Sequence, residues 1–161
     1  MTFAWARVAL ASVGLGLLAA PLPAQAGTVR EAGLEAVATA ADPAVYTAGL
    51  TASVRPSLRT RIALYAGGGV TGDGNGVGRA EVVGHFLLNP RSMHPGLYAG
   101  GGLAGEFASG ASNGFLVLLV GIESRPGGRG GWFVEAGIGG GARLAAGYRW
   151  RRLPPGWRAT R

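Results

Sequence analysis

The residues of this chain that could do chemistry are few and far apart. Serine-type nucleophilic catalysis needs a serine, a histidine base and an acid that orients the histidine. The two histidines are His85 and His94. His94 stands in a proline-flanked turn beside Ser92, where solvation is expected. His85 follows Glu81 by four residues, which in a strand puts both on one side. It reads as a hydrogen-bonding group and not as a base. Gly67-x-Gly69-x-x-Gly72 and Gly100-x-Gly102-x-x-Gly105 match the dinucleotide fingerprint. That chemistry requires a helix whose N-terminus meets pyrophosphate, and no helical period follows either run. Asp73-Gly74-Asn75-Gly76 resembles the start of a calcium loop but lacks the third oxygen ligand and the distal glutamate. No metal-ligand cluster is visible. The reading is of no catalytic residue, no cofactor and no metal.

What remains is a set of glutamates and arginines, and they follow a period. From Gly131 to Trp150, Trp132, Val134, Ala136 and Ile138 alternate with Phe133, Glu135, Gly137 and Gly139. After a glycine turn, Leu144, Ala146, Tyr148 and Trp150 alternate with Arg143, Ala145, Gly147 and Arg149. Period 2 is the strand signature, and the glycines between the halves make a hairpin. Eight such segments are predicted, at about 29–39, 45–55, 58–68, 78–88, 96–106, 114–124, 131–139 and 142–151. Between them lie Pro-, Gly-, Asn- and Ser-rich runs with turn chemistry. Leu64-Tyr-Ala-Gly-Gly-Gly recurs at Leu97, 33 residues on, as an up-and-down meander or chance in a chain with 31 glycines would give.

One face of the predicted ribbons collects the charge, and the other is aliphatic or small. Glu31, Glu35, Glu81, Glu106, Glu123 and Glu135 oppose Arg59, Arg61, Arg79, Arg143 and Arg149 in number. An eight-stranded barrel is narrow enough for side chains to fill, and charge inside it must be paired. The expectation is a Glu/Arg network inside the barrel, with Tyr65, Tyr98 and His85 filling space. In a soluble barrel the same faces would be reversed, with the aliphatic side inward. Trp132, Tyr148, Trp150 and Phe86 fall at one end of the strands, and Tyr46 and Phe107 at the other, as interfacial rings would.

The start of the chain reads as an export signal. A short basic head ends at Arg7, an apolar core runs from Val8 to Ala20, and Ala24-Gln25-Ala26 fits a cleavage site. The expected division is a signal peptide (1–26), a barrel (27–151) and a basic tail (152–161). There is no cysteine, so packing or a closed hydrogen-bond ladder must hold the domain. The net charge of +7 comes from 15 basic residues, all arginine. They are spread singly along alternating strands, which argues against a nucleic-acid partner. Arg151, Arg152, Arg158 and Arg161 form a basic tail that could touch acidic headgroups or stand idle in solvent.

In these features the chain resembles the small eight-stranded outer-membrane barrels of the OmpA and OmpX type. Leu144, Ala146, Tyr148 and Trp150 resemble the aromatic last strand that the assembly machinery reads. The eleven residues after Trp150 depart from the family, which often stops at the aromatic. The short Gly139–Gly141 connection departs from its usual long outer loops. Deacylase barrels of similar size carry His-x-Ser, whereas His85 is followed by Phe86 and Leu87. The resemblance implies an all-β, antiparallel, up-and-down transmembrane barrel in the outer membrane. It implies a non-enzymatic monomer, structural or weakly pore-like, with the bilayer or lipopolysaccharide and the assembly machinery as partners. The alternatives are a soluble periplasmic barrel binding a small apolar ligand and a lipid-modifying barrel enzyme.

Overall fold

The structure is a computed structural model, and it describes residues 28–108 and 110–160. The predicted signal peptide and Arg161 lie outside the described residues. Eight strands follow in order: β1 (Val29–Ala40), β2 (Val45–Arg55), β3 (Thr60–Thr71), β4 (Gly76–Leu87), β5 (Gly96–Ala108), β6 (Ala111–Glu123), β7 (Gly130–Ile138) and β8 (Ala142–Arg152). Each pairs antiparallel with its neighbour in sequence, and β1 pairs with β8 to close the barrel. Closure leaves no strand edge with unpaired N–H and C=O groups. The expected all-β, eight-stranded antiparallel barrel is what the chain forms.

Most expected boundaries move by one to three residues, among them both ends of β3 and the end of β8. β3 starts at Thr60 and not near residue 58, because the chain turns at Pro56, and the Ser57 Oγ accepts a bond from the Thr60 N–H at 3.1 Å. It continues through Gly67–Val70, which pairs with Gly76–Arg79 on β4. β8 runs on to Arg152, so the tail begins at Leu153. The tail does not leave the molecule. Thr160 bridges Ser92, and its N–H donates to the Arg91 carbonyl at 2.8 Å. Trp157 Nε1 donates to the Gly127 carbonyl at 3.0 Å, and the Arg91 guanidinium lies 5.4 Å from the Trp157 ring centroid. The tail thus ties the β4–β5 loop to the β6–β7 loop at the end of the barrel where β1 begins and β8 finishes, the terminal end. The opposite end has connections of 41–44, 72–75, 109–110 and 139–141. Gly140 and Gly141 have φ of 82° and 156°, so this turn takes a path that suits glycine.

The repeated Leu-Tyr-Ala-Gly-Gly-Gly segment turns Tyr65 and Tyr98 into the barrel but at different heights. Tyr65 lies opposite Glu81, and Glu81 opposite Ala104, six residues along β5 from Tyr98. The echo is of side-chain direction, not of level. The two glycine patterns lie in β3 and β5 and the turn after β3, with no helix after either.

Orientation of the faces decides the architecture. Leu116, Ile138 and Leu144 point outward, 74, 56 and 61 % exposed, whereas Arg143 and Arg149 are 2 and 1 % exposed inside. The aliphatic lumen that a soluble barrel for an apolar ligand would need is not the one found.

Candidate functional site: the charged lumen

Strand alternation places every second residue in the lumen, and register decides what meets there. All six glutamates of the chain (Glu31, Glu35, Glu81, Glu106, Glu123 and Glu135) point inward. Six arginines meet them: Arg55, Arg61, Arg79, Arg143, Arg149 and Arg151. The formal charges cancel.

The network has three levels. Nearest the termini, Glu31 and Glu123 share the arginines. Arg55 reaches Glu31 at 2.6 Å, Arg61 reaches Glu123 at 2.7 Å and Glu31 at 2.9 Å, and Arg151 bridges Glu31 at 3.1 Å and Glu123 at 2.7 Å. In the middle, the Arg143 guanidinium donates to Glu35, Glu81 and Glu135, each at 3.0 Å. Arg149 donates to Glu135 at 3.0 Å, and its guanidinium carbon lies 3.5 Å from the Phe133 ring centroid. Arg149 Nε and Nη1 make no hydrogen bond, and the face of the ring supplies that part of the cation with a partner. The Tyr98 hydroxyl donates to Glu135 at 2.8 Å, and the Tyr65 hydroxyl to Thr47 at 3.0 Å. At the far end, Arg79 pairs with Glu81 at 2.6 Å and with Glu106, and donates to the Gly139 carbonyl at 3.1 Å.

Of the residues expected here, Arg59 is not in the lumen. It is exposed in the bend between β2 and β3, because the strand whose parity would have turned it inward begins one residue later. Arg55 and Arg151, which are not among the residues expected here, also lie in the lumen. Parity shows both in retrospect: Thr51, Ser53 and Arg55 face one way, as do Arg149 and Arg151, and the ladders reach Arg55 and Arg152. Arg55 also donates to the carbonyls of Pro90 at 3.2 Å and Pro126 at 3.1 Å. These bonds hold the β4–β5 and β6–β7 loops against the terminal end of the lumen.

Large inward rings need room on the facing strand. Tyr98 lies opposite Gly121 and Phe133 opposite Gly147. A Cβ at Gly121 would stand 2.6 Å from the Tyr98 hydroxyl oxygen, and one at Gly147 2.6 Å from Phe133 Cζ. Each glycine is the space its partner's ring occupies. What free volume remains among Glu35, Tyr65, His85, Glu135, Arg143 and Arg149 is about 10 Å³, roughly the room of one water.

His85 sits in this packing with its Nε2 3.6 Å from Glu135, edge-on to Tyr98 at 5.2 Å between centroids. No hydroxyl nucleophile hydrogen-bonds to it. His94 is exposed, and its N–H donates to the Ser92 hydroxyl at 3.0 Å. In the Asp73 turn, the Thr71 hydroxyl and the Asn75 amide donate to the carboxylate, and the Thr71 bond holds Asp73 below its usual pKa. The oxygens of this loop serve the turn itself. Among the described residues, no group of three His, Cys, Asp or Glu is placed to hold a metal ion.

A closed eight-stranded barrel, aliphatic outside and neutralised by ion pairs within, defines a class of architecture. Solved structures share it. The N-terminal β-barrel domain of Pseudomonas aeruginosa OprF superposes with a TM-score of 0.57 at 11 % identity, covering 78 % of this chain and 98 % of that one. Neisserial surface protein A (NspA) superposes with a TM-score of 0.52 at 12 % identity, covering 77 % of this chain and 96 % of that one. At these identities the likeness is one of fold. No family model and no curated protein sequence matches the chain.

Proposed function

We propose that this chain is an outer-membrane β-barrel protein with a structural, non-enzymatic role. Export runs through the 1–26 leader, and the assembly machinery inserts the barrel as a monomer. The observation that carries this reading is the orientation of the two faces. Among the described residues, twenty-two large apolar side chains are substantially exposed while six arginines and six glutamates pair inside. In water a monomer rarely exposes so large an apolar surface. In hydrocarbon that surface is the solvent-compatible one, and a closed barrel satisfies every strand's backbone internally. The strands, 9 to 13 residues long, match the roughly 9–11 residues that a tilted strand needs to cross a bilayer.

The fold likeness to OprF and NspA supports the same reading. The packed interior argues for a structural role over a pore, because a narrow barrel filled by its own side chains leaves no continuous path for ions. The test is cell fractionation followed by a gel with and without boiling. The expected result is recovery in the outer-membrane fraction, detergent-dependent extraction and a band whose migration changes on heating. Release with the soluble periplasmic contents would overturn the proposal.

A further inference from the structure

We propose that the end of the barrel where β1 begins and β8 finishes holds an anionic phospholipid. One acyl chain would lie in an outward groove, and the phosphate would rest against the loop arginines just beyond it. The proposal rests on the membrane reading above.

Two observations meet at this end. The first is charge. Among the described residues, every arginine outside the lumen network is here: Arg59, Arg91, Arg125, Arg129, Arg152 and Arg158, with half-buried Arg30 on β1. The acids at this end, Glu31 and Glu123, face inward and are consumed by lumen arginines. The remaining acids, Asp42 and Asp73, stand exposed in the connections of the opposite end. A collar of one sign draws anions.

The second observation is shape. On the outer face of β4–β7 lies an apolar groove of about 580 Å³, walled by Phe86, Leu97, Val120, Ile122 and Val134. Its floor is low because Ala99 and Ala136, which face outward, carry little side chain. The strands that wall it run directly into the loops carrying the collar. Leu88 is three residues before Arg91, Ile122 three before Arg125, and Arg129 five before Val134. A nucleic acid or an acidic peptide would use the arginines and leave the groove unfilled. A molecule with a hydrocarbon chain and a phosphate head uses both. Guanidinium suits the phosphate because its planar fork donates two parallel hydrogen bonds.

The test folds the protein into phosphatidylcholine vesicles and compares spin-labelled phosphatidylglycerol with spin-labelled phosphatidylcholine for the motionally restricted fraction. Basic side chains at a membrane surface favour anionic lipid by about fivefold each before screening, so a selectivity on the order of tenfold is expected. The combined change Arg91→Gln, Arg125→Gln and Arg129→Gln should bring it close to one. Ala99→Phe should lower it without altering charge, by filling the floor of the groove. Should the triple variant fold poorly, raised salt on the unaltered protein should abolish the selectivity. Equal restriction of the two lipids, in a barrel that still shows heat-modifiable migration, would overturn the lipid site and leave the membrane reading standing. Selectivity untouched by Ala99→Phe would overturn the groove. Failure to enter vesicles in a heat-modifiable form would remove both readings.

Discussion

At the scale of single residues, Arg143 is the hub of the middle of the lumen. It serves three carboxylates, Glu35, Glu81 and Glu135, from three other strands. Removing one member of a buried ion network leaves the others as uncompensated charge in a low dielectric, which costs about 3–5 kcal/mol. Arg143→Met should destabilise the barrel by that order, read as a lower urea midpoint for unfolding from vesicles. Arg143→Lys should recover only part of the loss, because an ammonium is a point charge without the planar fork. The lumen also shows how far residue reasoning carries. The six glutamates are all where their parity puts them, since parity within a strand is a local property. Arg59 was expected in the lumen and stands outside it, and Arg55 and Arg151 stand in it unexpected, because each lies at the end of a strand. There, the side on which a residue falls depends on where the ladder stops, and the neighbouring strand sets that.

At the scale of strands, β6 was the least legible element, because its middle is apolar on both sides. Leu116, Leu118 and Val120 face outward, while Val117 and Leu119 pack inside with Val83, Leu87 and Tyr98. The inward side of this strand helps to fill the lumen by packing, without charge. Its outward side supplies a sharp test of what surrounds the molecule. Leu116 lies near the middle of β6. Leu116→Arg should cost about 2–4 kcal/mol if that position faces hydrocarbon. On a soluble surface the same change usually falls within about 0.5 kcal/mol. The measurement is the urea midpoint of the variant folded in vesicles. A value unchanged from the parent would count against the membrane reading. β8 illustrates the reverse case, an element fully visible from its pattern. Leu144, Ala146, Tyr148 and Trp150 alternate with Arg143, Ala145, Gly147 and Arg149 and keep their sides throughout. Tyr148 and Trp150 meet at a tilt of 58° on the outer surface, 5.1 Å between centroids.

At the scale of the whole molecule, the two ends of the barrel differ. One carries the start of β1, the end of β8, the longer loops and the returning tail. The other carries four short connections. The tail, the β4–β5 loop and the β6–β7 loop hydrogen-bond to one another, and Arg55 and Arg151 hold the loop carbonyls of Pro90, Pro126 and Arg125 from within. With loops held over the terminal mouth and about 10 Å³ free among the mid-lumen side chains, the intact barrel should show no steady ionic conductance in a planar bilayer. Removing the tail after Arg152 should leave the barrel closed and still non-conducting, because the lumen side chains, not the tail, fill the interior. A steady conductance in the intact chain would contradict the packing described here.

Alternation alone determined that this chain makes eight strands, each with one charged and one aliphatic face, since the facing of successive residues along an extended backbone is a matter of local geometry. Which face would be enclosed was not decided there, because a ribbon and its inside-out counterpart have the same pattern. Closure of β1 on β8 decided it, together with the partners of each arginine, the inward place of Arg55 and Arg151 and the outward place of Arg59. The physical reason is that burial and ion pairing are set by distances between strands far apart in sequence, and only the closed register fixes those distances.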